Sequence, residues 1–300
     1  MYKTVIGLEV HCELETKSKN FSFAPNEFTE AHNINVGTVD LGLPGILPIA
    51  NKEAVRKALF TSMALHCDLP DEIIFDRKNY YYADLPKGYQ ITQQARPIGS
   101  EGYVDIKLSD GRVKKIEIER LHMEEDTAKQ VHYSNFTLID YNRAGIPLIE
   151  IVTKPCMCSG DEAKAYLEKL RELLFYCDIS DCKIEEGSMR ADVNVSIRKN
   201  EKDPFGTKAE IKNVGSISNA KLSVEKEIER LCEMGFISEG NHSVNDEDIV
   251  PPLRKMLRKG RGTLLIAHER ERAAVFASDG MADVKSGRTD DPRAFNTLLC

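Results

Sequence analysis

Carboxylates and one imidazole stand among strongly apolar neighbours at three places in the sequence. Glu9 and His11 lie in an N-terminal run in which polar and apolar residues alternate. Glu124 lies in an acidic run, and Glu150 is the one charged residue of the apolar run 148–152. A carboxylate in such a run is costly to desolvate unless a cation or donor partners it. Carboxylates with an imidazole suit Mg²⁺ or Mn²⁺ held jointly with phosphate oxygens. We therefore predict a divalent-cation site, although plain solvation of a polar sheet face remains the alternative for each single strand.

Two further sets of possible ligands are weaker. His122 and His132 are isolated histidines at strand edges, where a surface or hydrogen-bonded role is more common than metal binding. The sequence contains no glycine-rich phosphate motif, so nucleotide phosphates would have to be held by metal and by arginine or lysine. Four thiolates offer a zinc alternative, although their spacings are unlike those of a zinc knuckle. They are Cys156, Cys158, Cys177 and Cys182.

The segment 76–90 combines tyrosines with basic residues. Tyrosine rings can stack on the bases of a nucleic-acid end, and Arg77, Lys78 and Lys87 can contact its phosphates. An ordered loop with packed tyrosines explains the same composition equally well. Both interpretations stay open at this point.

A sheet is needed to bring the candidate ligands together, and period-two alternation predicts one. Alternate residues of a strand face opposite sides, so these runs predict one apolar face and one ionisable face. The predicted strands are 4–14, 115–125 (with a phase slip near Arg120), 147–153, 189–198 and 207–213. Helical periodicity predicts helices at 52–66, 159–176 and 218–234. The pattern indicates an α+β fold in which an antiparallel sheet carries helices on one face.

Length and composition exclude several classes of protein. The chain has 300 residues, of which 41% are hydrophobic, which is enough for a core and too many for a mainly disordered chain. No apolar run has the length of a membrane span and no signal-peptide pattern is present, so we expect a cytoplasmic protein. Eight scattered cysteines indicate reduced thiols rather than a disulfide scaffold. A net charge of −7 argues against a general nucleic-acid coat protein.

Six blocks of the sequence, in order, closely resemble the B subunit of the tRNA-dependent aspartyl/glutamyl amidotransferase. The similarity runs from residue 2 to about residue 250 and includes the motifs VIGLEVH, DLPKGYQI and HMEED. The six blocks are 5–11, 76–80, 84–91, 122–126, 142–152 and 186–194.

The resemblance implies a cradle-shaped domain related to the glutamine synthetase and guanido kinase fold. It implies that ATP, with Mg²⁺, phosphorylates the side-chain carboxylate of mischarged Glu-tRNA(Gln) or Asp-tRNA(Asn). Ammonia released from glutamine by an A subunit would then displace the phosphate. The partners implied are the A and C subunits of a heterotrimer together with the tRNA, and no membrane.

The same resemblance assigns roles to individual residues. The family's metal-site positions match Glu9, His11, Glu124 and Glu150. Neighbours that would position nucleotide or substrate, less firmly assigned, are Glu125, Arg190, Asp192 and Lys212. Candidates for contact with the tRNA acceptor end are Arg77, Lys78, Tyr82 and Lys87.

The sequence departs from the family in two regions. Many members bind structural zinc through two cysteine pairs, and no zinc is expected here because the matching positions are Ser22, Ala24, Gly37 and Asp40. The family continues into a helical domain and a tRNA-binding tail, whereas this sequence becomes unrecognisable after Val250. A frameshift, for which Ala267 and the residues after it offer one possible reading, would explain the change, and a divergent paralogue is the alternative.

These departures leave the activity open. We predict a catalytic cradle at residues 1–255 and a divergent, poorly ordered segment at 256–300. The alternatives to an active amidotransferase subunit are an inactive remnant that binds only partner subunits and a carboxylate kinase acting on a small molecule.

Overall fold

The structure, a computed structural model, describes residues 2–212, 214–234 and 264–267. The helices of this part of the chain are α1 (Lys52–Ala64), α2 (Gly160–Tyr176) and α3 (Ile217–Met234). Its strands are β1 (Lys3–Glu13), β2 (Asp76–Asn79), β3 (Tyr89–Thr92), β4 (Gly99–Lys107), β5 (Val113–Glu125), β6 (Lys129–His132), β7 (Thr137–Asp140), β8 (Pro147–Thr153), β9 (Met189–Arg198), β10 (Ala209–Lys212) and β11 (Leu264–Ala267).

Seven of these strands form one sheet in the order β11-β10-β9-β1-β8-β5-β4, and every neighbouring pair is antiparallel. The five predicted strands are confirmed, with ends that differ from the prediction by at most two residues. The predicted slip near Arg120 is a register shift between Ile118 and Arg120 in the pairing of β5 with β8. The hairpins β2–β3 and β6–β7 each form a separate two-stranded sheet.

The helices cover one face of the sheet, as predicted. Leu8 and Val10 of β1 lie in one buried apolar cluster with residues of α1, α2 and α3, such as Ala58 and Leu170. The helix α2 begins as its sequence indicates, because the Ser159 side chain caps it by accepting a hydrogen bond from the backbone N–H of Glu162. The α+β class with an antiparallel sheet is thus confirmed, while the relationship to glutamine synthetase and guanido kinases stays a prediction.

The predicted poorly ordered segment 256–300 lies outside the described residues except for β11. Those four residues pair with β10, from Ala209 opposite Ala267 to Lys212 opposite Leu264. None of the helices in the described part of the chain is long and apolar enough to cross a membrane.

Candidate functional site

The polar face of the sheet aligns the predicted ligands in rows across neighbouring strands. His11 of β1 lies opposite Glu150 of β8, and Glu150 lies opposite His122 of β5. One row further along, Glu9 lies opposite Asp192 of β9. The pairing of β1 with β8 and β9 therefore brings together residues that are more than a hundred positions apart in the sequence.

Three of the four predicted metal ligands form one compact group. His11, Glu124 and Glu150 each offer a ligand atom, and these atoms lie within 4.8 Å of one another. The His11 Nε2 atom lies 3.5 Å from Glu150 Oε2. Ligand atoms around one Mg²⁺ at about 2.1 Å lie roughly 3–4 Å apart, so three atoms this close together are candidates to share one divalent cation, whose other positions would be open to water or phosphate oxygens.

His122 lies between two members of this group. Its Nε2 atom is 3.0 Å from Glu150 Oε2 and 3.3 Å from Glu124 Oε1, and its buried Nδ1 atom has no hydrogen-bond partner among the described residues. Its hydrogen-bonded role agrees with the more common role expected for an isolated histidine. Sequence reasoning missed that its partners are two candidate ligands.

The electrostatics favour ion pairing within the group. Burial alone would raise the pKa of Glu150, but hydrogen bonds from His11 and His122 hold it well below its usual range. Burial alone would lower the pKa of His122, yet contact with Glu124 and Glu150 raises it to about 9. The pKa of His11 is also raised, because Glu150 outweighs burial. In the metal-free protein the histidines thus supply the positive charge that balances the carboxylates.

Glu9 lies in a second group, so the four predicted metal ligands are divided between two groups and their shared role stays a prediction. Because Glu9 is one row further along β1, its carboxylate lies within 4.8 Å of ligand atoms of Asp192 and Glu210 instead. Asn194 donates a 2.9 Å hydrogen bond to Glu9 Oε1. Glu210 was not singled out as a ligand, although the predicted strand 207–213 has it on the polar side, because Lys208 and Lys212 flank it there.

Lys212 and Arg190 are both paired with acids in the structure. Lys212 Nζ lies 2.8 Å from Glu210 and 3.2 Å from Asp192, and although burial alone would lower its pKa, these carboxylates raise it. Arg190 Nη2 lies 2.8 Å from Asp126 Oδ2. These two predicted cations therefore lie on strands β9 and β10, to one side of the strand β8 that carries Glu150.

Lys87, predicted to contact a tRNA end, is not exposed. Its side chain is 5% exposed and forms an ion pair with Glu125, which is 2% exposed. The Glu125 carboxylate also accepts a 3.0 Å hydrogen bond from the backbone N–H of Ile91. Burial raises the pKa of Glu125 even though Lys87 opposes that shift. In this arrangement Lys87 holds the hairpin to the sheet.

The rest of the predicted acceptor-end surface lies on the hairpin β2–β3 and on the segment that connects its two strands. The Arg77 guanidinium lies 4.5 Å from the centre of the Tyr89 ring, and Lys78 Nζ lies 5.8 Å from that of Tyr80. Tyr82 is partly exposed and packs edge-on against Tyr80. Arginine and tyrosine faces of this kind are suited to stacking with bases and contacting phosphates.

The four positions that match the zinc cysteines converge in space. A Cβ atom built on Gly37 would lie 2.8 Å from Ser22 Oγ, 3.3 Å from Asp40 Oδ2 and 3.4 Å from the Ala24 Cβ atom. The buried Lys19 Nζ lies 3.2 Å from Asp40 Oδ2, which also accepts hydrogen bonds from Ser22 and from the backbone of Gly37. The buried ion pair Lys19–Asp40 thus lies within this loop, at the place where the resemblance implies that other family members bind zinc.

The weaker candidates are not brought together. Among the described residues, the four cysteines of the zinc alternative form no group of potential ligands, and Cys182 is buried while Cys158 is exposed. His132 bonds to Thr137 on an exposed hairpin. The seven described cysteines are free thiols, as predicted.

Comparison with known proteins gives consistent matches. Residues 4–290 match the family described as "GatB/GatE catalytic domain". The chain is 49% identical over 254 residues to the B subunit of the aspartyl/glutamyl-tRNA(Asn/Gln) amidotransferase of Mesoplasma florum, covering 85% of this chain and 51% of that protein. It is 52% identical over 225 residues to the protein of the same name from Bacillus cereus strain B4264, covering 75% and 47%. The chain spans about half the length of the curated relatives it matches.

Proposed function

The chain belongs to the GatB/GatE catalytic domain family, and from that premise we propose that it carries out the ATP-dependent steps of a tRNA amidotransferase. The substrate would be the side-chain carboxylate of Glu-tRNA(Gln) or Asp-tRNA(Asn), in keeping with the name of its relatives. The observation that carries the proposal is the convergence of His11, Glu124 and Glu150 on the polar sheet face. The catalytic unit is proposed to be residues 1–255.

The chemistry requires activation of the carboxylate because oxide is a poor leaving group. The carboxylate oxygen takes the γ-phosphoryl group of ATP, which gives ADP and an acyl phosphate. Ammonia then attacks the carbonyl carbon, phosphate leaves with the C–O bonding electrons, and the nitrogen loses a proton to give the amide. Ammonia would come from glutamine through the A subunit, with the C subunit completing a heterotrimer.

The site residues are suited to the first of these steps. His11, Glu124 and Glu150 would hold one Mg²⁺, and the group of Glu9, Asp192 and Glu210 is placed to hold a second. A bound Mg²⁺ would neutralise charge on the transferring phosphoryl group. Arg190 lies beside this face and is 38% exposed, so it remains available to an anionic group after pairing with Asp126.

The hairpin β2–β3 supplies the proposed surface for the tRNA acceptor end. Arg77, Lys78 and Tyr82 are the residues expected to touch it, because their side chains carry exposed charge or an exposed ring. The Lys87–Glu125 pair would hold this surface beside Glu124. Lys87 is therefore part of the proposed site through its ion pair with Glu125, which positions the hairpin.

Reconstitution tests the proposal. The chain is combined with purified A and C subunits, Glu-tRNA(Gln), glutamine and Mg-ATP, and Gln-tRNA(Gln) is measured. We expect amide formation that depends on ATP and is abolished by Glu150→Gln, while the exposed Glu168→Gln serves as control. Mg-ATP binding without amide formation would favour the inactive remnant. Phosphorylation of a free carboxylic acid in place of the tRNA would favour the small-molecule kinase.

A further inference from the structure

The strand β4 does not pair with the last residues of β5, among which Glu124 lies. Pairing between β4 and β5 extends from Lys107 opposite Val113 to Gly99 opposite Leu121. The last four residues of β5 continue to Glu125 and pair with β8 on their other side. Backbone groups on this buried edge need other partners, because an unpaired buried polar group is costly.

Side chains of the segment 90–93 supply those partners. Gln93 Oε1 accepts a 3.0 Å hydrogen bond from the backbone N–H of Met123, and Gln90 Nε2 donates a 2.6 Å bond to the carbonyl of Glu125. Both glutamines are buried. The segment thus replaces β4 along the end of β5 with side-chain hydrogen bonds.

The same segment also holds the carboxylate of Glu124. Thr92 Oγ1 donates a 3.0 Å hydrogen bond to Glu124 Oε1, and Gln90 Nε2 lies 3.4 Å from Glu124 Oε2. Residues 90 and 92 are two apart on β3, so their side chains project to the same side and reach one oxygen each. Thr92 is 8% exposed, and its hydroxyl has no competing hydrogen bond among those found for the described residues.

We propose that Thr92 is a positioning residue for the metal site, fixing the rotamer of Glu124 so that its carboxylate faces His11 and Glu150. The inference rests on the proposed function. Thr92 and His122 both contact Glu124 Oε1, so the lone pair open to a cation lies on Oε2, where Gln90 is the one contact found among the described residues. Fixing a ligand in advance removes the entropy cost of ordering it on binding, and loss of such an outer partner typically lowers metal affinity 10–100-fold.

The test measures Mn²⁺ binding to the full chain by the electron paramagnetic resonance signal of free Mn²⁺. Thr92→Val keeps the side-chain shape and removes the hydroxyl, and we expect it to weaken binding about 10-fold or more. Thr92→Ser keeps the hydroxyl and should restore affinity to within about 3-fold of the wild type, since the outer hydrogen bond is retained. Thr61→Val removes a buried hydroxyl that, among the described residues, donates to the backbone carbonyl of Lys57 in α1, and it should leave Mn²⁺ affinity unchanged.

The outcomes separate the inference from the proposed function. Equal Mn²⁺ affinity in the wild type and Thr92→Val, with binding lost in Glu150→Gln, would overturn the role of Thr92 and leave the metal site standing. Absence of Mn²⁺ binding in the wild type would overturn both. Near-ultraviolet circular dichroism checks that each variant is folded, and Thr92→Ala replaces Thr92→Val if the valine variant does not fold.

Discussion

Burial and pairing distinguish the charged residues of the polar face. Glu150 is held between His11 and His122, whereas Glu9 bonds to Asn194 in a separate group. The charge that balances the carboxylates also differs between the two groups. In the group of His11 it comes from His11 and His122, because the neighbouring carboxylates raise the pKa values of both histidines. In the group of Glu9 it comes from Lys212.

The pKa of His122 makes the stability of the metal-free chain dependent on pH. Its folded-state pKa of about 9 exceeds the usual 6.5. The stabilisation is therefore fully present below pH 6.5 and is lost as the pH rises through about 9. The shift corresponds to a contribution on the order of 3 kcal/mol.

We expect the thermal midpoint of the wild type in EDTA to fall between pH 6.5 and 9 and that of His122→Gln to fall less. Differential scanning calorimetry at several pH values measures both. Parallel profiles for the two proteins would contradict the assigned pairing of His122 with Glu124 and Glu150.

Elements differ in how far their sequences predict them. Alternation predicts β1 and β9 because one face of each is buried and the other polar. It fails for β4, where two positions are glycine because the last part of α1 and the turn after it pack closely against the strand. A Cβ atom on Gly102 would lie 2.4 Å from Cys67 Sγ, and one on Gly99 would lie 2.6 Å from Ser62 Oγ.

Part of the candidate site could also be predicted from the alternation of polar and apolar residues. His11, Glu124 and Glu150 stand out as polar residues in apolar strands, so the sequence identifies them. The pairing of Lys87 with Glu125 joins residues 38 positions apart and depends on how the hairpin β2–β3 folds over β5. No local pattern carries that information, and the burial of Lys87 was therefore missed.

The loop between β1 and α1 depends on the buried pair Lys19–Asp40. We expect Asp40→Asn to lower the free energy of unfolding by about 3–5 kcal/mol, because it leaves the buried Lys19 charge without its counter-ion. Urea denaturation measures the change. The matched control Glu168→Gln removes an exposed i,i+4 pair with Lys164 on α2 and should cost at most about 0.5 kcal/mol. Similar small effects for both variants would show that the Asp40 pair does not hold the loop.

In the described part of the molecule, the two faces of one sheet have different roles. Its apolar face packs on three helices in one buried cluster, and its opposite face carries both groups of potential metal ligands. Ligands on strands paired along their length are held more rigidly than ligands on loops, which suits a site that must position phosphate oxygens. The proposed tRNA surface joins this site through the bonds from β3 to Glu124 and Glu125.

Phosphoryl transfer at this polar face would require ATP to bind there through a divalent cation. Equilibrium dialysis of labelled ATP against the full chain, with and without Mg²⁺, tests this requirement most directly. We predict binding that requires Mg²⁺, is lost in Glu150→Gln and is retained in the exposed control Glu168→Gln. ATP binding that is absent in the wild type, or that is unaffected by both Mg²⁺ removal and Glu150→Gln, would contradict the account.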